Sequence, residues 1–197
     1  MNWEDYLIEG SSVLKNKLGI TNQEELNKQE NMIVVCKLLE LYLTEINGNY
    51  DSKHLCDIHR YLFKDIYDFA GSYRCVYMYK KYGGFLEPNK IKDELERIMS
   101  EARNKVIDSD NKFEIAKFIG KYYYDLIMIH PFREGNGRTI REFIRQFVIY
   151  KFPDYVLDME KLDKKNMLLG IVEIETYPLL LAYEFYNALT LKKEKVM

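Results

Sequence analysis

An all-α fold, a compact helical bundle carrying one small β-hairpin, is predicted by three features of the sequence. Apolar residues recur at i, i+3 and i+4 through most of the chain; polar caps with early carboxylates open several of these segments; a single stretch is rich in β-formers. At 197 residues the chain has the length of one domain, expected to span residues 1–197, since domains run to ~100–200 residues. With 47% apolar residues it can bury a sizeable core, which excludes wholesale disorder.

Taken in order, Thr21 followed by Gln23, Glu24 and Glu25 reads as a helix start. That helix is expected to run through Leu26, Ile33, Val34, Cys36, Leu38, Leu39, Leu41 and Tyr42, and to stop at the turn Asn47-Gly48-Asn49. A second starts near Asp51 and covers Leu55, Ile58, His59, Leu62 and Phe63; a third follows Pro88, from Ile91 to Val106. Asn111, with Glu114 three places on, opens a fourth through Ile115, Phe118, Ile119, Tyr122 and Leu126. Thr139 to Ile149, Met159 to Leu169 and Leu179 to Leu189 complete the helices. Between the second and third, Arg74-Cys75-Val76-Tyr77-Met78-Tyr79 favours strand, and Tyr82-Gly83-Gly84-Phe85 supplies a turn, which together predict a hairpin over about 72–88.

Several function classes are disfavoured by composition. A net charge of −2 argues against a general nucleic-acid binder. The most apolar run, MIVVCKLLELYL, is broken by Lys37 and Glu40 and falls short of the ~18 residues of a membrane span. The N-terminus lacks the basic region of a secretory signal, and three cysteines (Cys36, Cys56, Cys75) without metal-type spacing fit a reducing compartment, so a cytoplasmic protein is expected. His54 and His59 lie five apart with nothing to complete a metal set, and no GxxxxGK(S/T) phosphate loop is present.

The chemistry concentrates in His130-Pro131-Phe132-Arg133-Glu134-Gly135-Asn136-Gly137-Arg138-Thr139-Ile140-Arg141. An apolar helix ends where Pro131 interrupts it, a glycine-bearing loop follows, and a new helix starts near Arg138. Gly135 and Gly137 allow successive backbone N–H groups to converge, the new helix N-terminus adds partial positive charge, and Arg138 and Arg141 project from one side of it. Such a nest suits phosphate oxygens. Glu134 within it makes sense if a divalent cation such as Mg²⁺ bridges its carboxylate to polyphosphate. His130 can take a proton near neutral pH. Each feature alone also fits plain helix–loop–helix punctuation, but the combination is expected in roughly one random window in 10⁹ or fewer at average residue usage.

The run resembles, without a mismatch, the HxFx(D/E)GNGRxxR signature of Fic-domain proteins. Phe69-Ala70-Gly71-Ser72-Tyr73-Arg74, the hairpin and Lys80 are similar to the family's flap, and residues 14–21 to the start of bacterial Fic domains of effector and toxin type. The likeness covers about residues 13–150. It implies a protein adenylyltransferase that moves AMP from ATP to a Tyr, Ser or Thr hydroxyl of a target protein, releasing pyrophosphate. Carried over, His130 is the general base, Phe132 anchors the loop, Glu134 holds Mg²⁺, and Gly135, Gly137 and the Asn136 side chain form the anion hole. Arg138 contacts the β-phosphate and Arg141 the γ-phosphate; Arg133 and Lys80 are expected among the nucleotide-binding residues, and the flap holds the target by main-chain pairing. The flap departs from the usual pattern by an extra residue or two between Lys80 and the glycine pair. A catalytically silent nucleotide-binding module, or transfer of another phosphate-containing group, stays open. The family's inhibitory (S/T)xxxE(G/N) pattern is not matched: Thr21…Glu25 and Thr190…Glu194 have the acid but not the following Gly or Asn. Control by a separate antitoxin-like chain is therefore expected, with an unusual built-in element as the alternative.

Overall fold

The computed structural model describes residues 2–80 and 83–192, apart from the Lys80 side chain. Seven α-helices are present among them: α1 (Gln23–Leu43), α2 (Ser52–Phe63), α3 (Ile91–Asn104), α4 (Lys112–Ile129), α5 (Asn136–Lys151), α6 (Lys164–Val172) and α7 (Leu180–Ala188). A short hairpin, β1 (Tyr79–Lys80) and β2 (Gly83–Gly84), lies between α2 and α3, and β3 (Tyr155–Leu157) pairs antiparallel with β4 (Leu189–Leu191).

The caps explain most boundaries. Asp51 accepts the His54 N–H to open α2, and Asn111 accepts those of Phe113 and Glu114 to open α4. Helix α1 is capped by Asn22 rather than Thr21, and ends at Leu43, before the Asn-Gly-Asn turn. Arg145 fixes that end, donating to the Leu41 carbonyl (3.1 Å) while paired through two bonds with buried Glu142 (2.8 and 2.9 Å). The expected helix over Met159–Leu169 is two pieces, a 3₁₀ turn (Met159–Lys161) and α6, because Asp163 caps a new start through the Lys165 and Asn166 N–H groups.

Helix α5 is the axis of the core, with Thr139, Ile140 and every residue from Glu142 to Val148 buried. Helix α4 packs beside it and against α7, where Gly120 permits close approach: a Cβ there would lie 3.0 Å from the Ala182 backbone nitrogen. Helix α1 buries only a thin line (Leu26, Glu30, Val34, Leu41), so Leu39 and Tyr42 stand in solvent with Met32 and Val35.

The hairpin differs from expectation in extent. Only two residues pair on each side, Tyr79 with Gly84 and Lys80 with Gly83, so the glycines are strand; the expected turn residue Tyr82 lies outside the described residues, as does the tail from residue 193. Residues 74–78 are not strand because Arg74 is turned inward. At 2% exposure it donates to four carbonyls: Nε to His130 (2.7 Å), Nη1 to Val76 (2.7 Å), Nη2 to Ile129 (3.1 Å) and Leu86. Its own N–H bonds the Pro131 carbonyl, and the Leu86 N–H bonds that of Met128. Carbonyls that α4 leaves unsatisfied at its end are thus taken up by the two arms of the hairpin.

Arg74→Met leaves these carbonyls without partners and should cost about 3 kcal/mol, lowering the thermal midpoint by roughly 6–12 °C. A melt within roughly 2 °C of wild type contradicts the role.

Candidate active site

The loop between α4 and α5 is held residue by residue. His130 takes a left-handed conformation (φ 49°, ψ 62°) that ends α4, its carbonyl held by Arg74. Phe132 is fully buried, as expected, and stacks on His59 at 3.8 Å with an interplanar angle of 4°. The Asn136 side chain accepts the Phe132 N–H (2.8 Å) and donates to the Phe132 carbonyl (2.7 Å). The side chain expected in the anion hole thus closes the loop through its oxygen and one amide N–H. Gly135 (φ 82°) caps α5, and a Cβ there would lie 2.3 Å from the Phe63 ring.

His59, which the sequence did not single out for this site, positions the loop. Its Nδ1 accepts the Gly71 N–H (2.7 Å), which leaves Nε2–H to donate to the Glu134 carbonyl (3.0 Å). Burial pulls this imidazole down to about 3, only partly offset by the Glu134 carbonyl bond. A lone histidine on an apolar helix face carries no signal for such a role.

At the mouth of the site, the His130 ring stacks on Phe85 (3.8 Å, 8°), just beyond β2. Its Nδ1 lies 3.2 Å from the Ile127 carbonyl, an acceptor, so Nδ1 carries the proton and Nε2 the lone pair. His130, Gly137 and Arg141 line one end of a cavity of about 310 Å³, whose walls are Tyr123, Ile127, Met159, Leu162, Met167, Leu168 and Ile171, with Lys164. The apolar wall was missed because one helix was expected across Met159–Leu169; Asp163 is the capping signal that could have located the break. The N–H groups of Asn136, Gly137 and Arg138 sit in the first turn of α5, which offers no helical acceptors.

Glu134 is the loop's half-buried carboxylate; its Oε1 accepts the Gly135 N–H (2.8 Å) and lies 3.5 Å from Arg138 Nη2. Among the described residues no group of three or more acidic, His or Cys side chains could cage a metal ion. One open carboxylate beside a phosphate-type site suits Mg²⁺, which commonly keeps water and substrate phosphate as its other ligands. Arg138, expected at the β-phosphate, has partners within the chain. It pairs with Glu30 of α1, donates to Asn31 (3.3 Å) and rests on the Phe63 ring (4.9 Å). Glu30 is 6% exposed and also accepts the Tyr67 hydroxyl, whose pKa is raised by burial and then by that bond. The acid that reaches an arginine is thus Glu30, not the exposed Glu25 of the pattern search; an acid in line with Leu26 and Val34 was its signal. Arg141 lines both the 310 Å³ cavity and a second of about 600 Å³, shared with Val35, Leu39, Tyr42, Arg138 and Arg145. Arg133, expected among the nucleotide contacts, lines neither cavity and has its guanidinium on the Trp3 ring. The Lys80 side chain lies outside the described residues.

Two outcomes follow. Gly135→Ala should lower nucleotide affinity at least about tenfold by calorimetry, since the strained residue must displace Phe63 or the loop. For His59, the folded value lies below the ~6.5 of an unfolded histidine, so the unfolded state binds the proton that the folded state refuses. Stability should therefore fall as pH drops below ~6.5, by up to ~1.4 kcal/mol per pH unit for this residue. Buried His54, also lowered by desolvation, adds in the same direction. Urea midpoints between pH 7.5 and 5 should show this slope, and His59→Gln should flatten it.

Comparison with known proteins agrees with this geometry. Residues 49–148 match the family model described as "Fic/DOC family". The chain is 33% identical over 164 residues to "Protein adenylyltransferase VbhT" of Bartonella schoenbuchensis, covering 83% of this chain but only about a third (34%) of that protein. It is 32% identical over 161 residues to "Probable protein adenylyltransferase y4lH" of Sinorhizobium fredii, covering 81% of each. Among solved structures, the fold resembles the BepC protein of Bartonella tribocorum with bound AMPPNP (TM-score 0.82, 24% identity, 96% of this chain and 98% of that one). It also resembles a Fic domain of Bartonella quintana with bound ADP (TM-score 0.84, 23% identity, 96% of each). The chain belongs to the Fic/DOC family.

Proposed function

We propose that the chain is a protein adenylyltransferase, moving AMP from ATP to a Tyr, Ser or Thr hydroxyl of a target protein. The observation that carries this reading is His130: its Nδ1–H faces a carbonyl and its ring is stacked, so Nε2 is the basic atom, at one end of a cavity shared with Arg141 and the first turn of α5. The apolar wall from Met159 to Ile171 suits a purine base, and the N–H groups of α5 suit the phosphates. The two relatives from Bartonella schoenbuchensis and Sinorhizobium fredii are named a protein adenylyltransferase and a probable protein adenylyltransferase, which supports the same assignment.

In this mechanism the target's hydroxyl oxygen attacks the α-phosphorus and gives its proton to His130 Nε2. The new O–P bond forms as the bond from the α-phosphorus to the bridging oxygen breaks, and pyrophosphate leaves. The α5 N–H groups and Arg141 stabilise charge on the phosphate oxygens; Arg138 can join through donors that Glu30 and Asn31 leave over. Glu134 is the residue that would hold Mg²⁺, which supplies charge neutralisation on the phosphates. The residues flanking β1 and β2 would carry the target segment, next to the base that Phe85 stacks upon.

Control in trans remains our reading. The exposed apolar residues of α1 (Val35, Leu39, Tyr42) line the 600 Å³ cavity together with three arginines and three acids (Glu142, Asp158, Glu160), an apolar surface with charges of both signs that suits an amphipathic helix, as an antitoxin-like chain would supply. A cytoplasmic setting is consistent with three unpaired cysteines, and no helix among the described residues is long and apolar enough to cross a membrane.

The deciding experiment incubates the protein and Mg²⁺ with a bacterial lysate as acceptor source, using ATP labelled at the α- or the γ-phosphate. Label should pass to protein from the α position only, and fall at least ~100-fold in His130→Ala. Label from γ alone means kinase chemistry; none from either favours a binding module.

A further inference from the structure

Arg133 sits in the middle of the reacting loop, yet is 8% exposed, and its buried Nε has no hydrogen-bond partner among the described residues. Its guanidinium lies 3.9 Å above the centre of the Trp3 ring and 5.7 Å from that of Tyr6, both on the 3₁₀ turn Trp3–Tyr6. A largely desolvated guanidinium facing aromatic rings interacts more strongly than an exposed one, so the rings stand where a carboxylate otherwise would. Tyr6 is itself fixed. Its carbonyl accepts the Lys15 N–H (2.8 Å), its ring meets Phe69 edge-on at 5.5 Å, and its hydroxyl accepts the Cys75 N–H (3.4 Å) at the base of the hairpin.

The other loop residues are tethered by main-chain bonds: His130 and Pro131 to Arg74, Phe132 to Asn136, Glu134 to His59. Arg133 is tethered by its side chain, and the partner is the N-terminal segment.

We propose that Trp3 and Tyr6 are positioning residues for the transfer reaction: through Arg133 they hold the loop segment that carries Glu134, and through Cys75 Tyr6 ties that clamp to the hairpin. The consequence for nucleotide rests on the transferase reading above; the consequence for loop order does not.

Hydrogen exchange without nucleotide tests the clamp. Trp3→Ala should speed exchange in residues 131–138 about fivefold, with residues 115–126 of α4 unchanged and Trp3→Phe, which keeps a ring face, restoring most protection. Calorimetry with Mg²⁺ and a non-hydrolysable ATP analogue should show Kd raised about fivefold in Trp3→Ala, with adenosine, which lacks phosphates, unaffected. Trp3 is the chain's one tryptophan, so its emission should shift when the analogue binds wild type and not Arg133→Met. Unchanged loop exchange in Trp3→Ala overturns the proposal, as does acceleration spread equally through α4, which would mean general destabilisation. If wild type binds no analogue, the transferase reading fails while the exchange result still judges the clamp.

Discussion

A buried guanidinium that bonds four carbonyl oxygens joins the two parts of this molecule on which the proposed chemistry relies. Arg74 is the residue on which the end of α4 and both arms of the hairpin meet. Its hydrogen bonds fix the carbonyls of Ile129 and His130, and so the direction in which the His130 ring leaves the helix. The same side chain holds Val76 and Leu86, and the adjacent Phe85 closes over that ring. The proposed base and the proposed target-holding segment are thereby placed by one buried group. A lysine could not replace it, because the planar fork reaches several oxygens at once.

The loop beyond His130 extends the same logic. Asn136, His59 and Trp3 each restrain a different residue of it (Phe132, Glu134 and Arg133), from α5, α2 and the N-terminal turn respectively. An enzyme whose chemistry is attack at phosphorus gains most from donors already in place, since they need no reorganisation as charge develops. The polar side chains spent on holding the loop leave its main-chain N–H groups to face an anion. Glu30 and Tyr67 treat Arg138 the same way, giving a partly exposed cation a fixed buried partner.

Much of this was legible in the sequence because it rests on local signals. Asp51 and Asn111 announce their helices, and the run from His130 to Arg141 carries its chemistry in adjacent residues. Failures came where a role depends on residues far apart in the chain. Nothing near His59 shows that its ring lies under Phe132, and nothing near Arg133 shows that Trp3 waits for it. Nothing near Asn136 shows that its amide oxygen and one N–H close on the main chain of Phe132. The second sheet escaped because β4 is joined directly to a helix, and its partner β3 is three residues long. Helix α1 misled for another reason: its apolar residues encircle it, so periodicity could not say which would be covered.

The account is tested most directly by a crystal structure of the protein with Mg²⁺ and a non-hydrolysable ATP analogue. It predicts the purine against Met159, Met167 and Ile171, the phosphates at the first turn of α5, and the α-phosphorus facing His130 Nε2, with Arg74 still bonded to the His130 carbonyl. Nucleotide bound in the 600 Å³ cavity beside α1 instead, or a His130 ring released from Arg74 and Phe85, would contradict it.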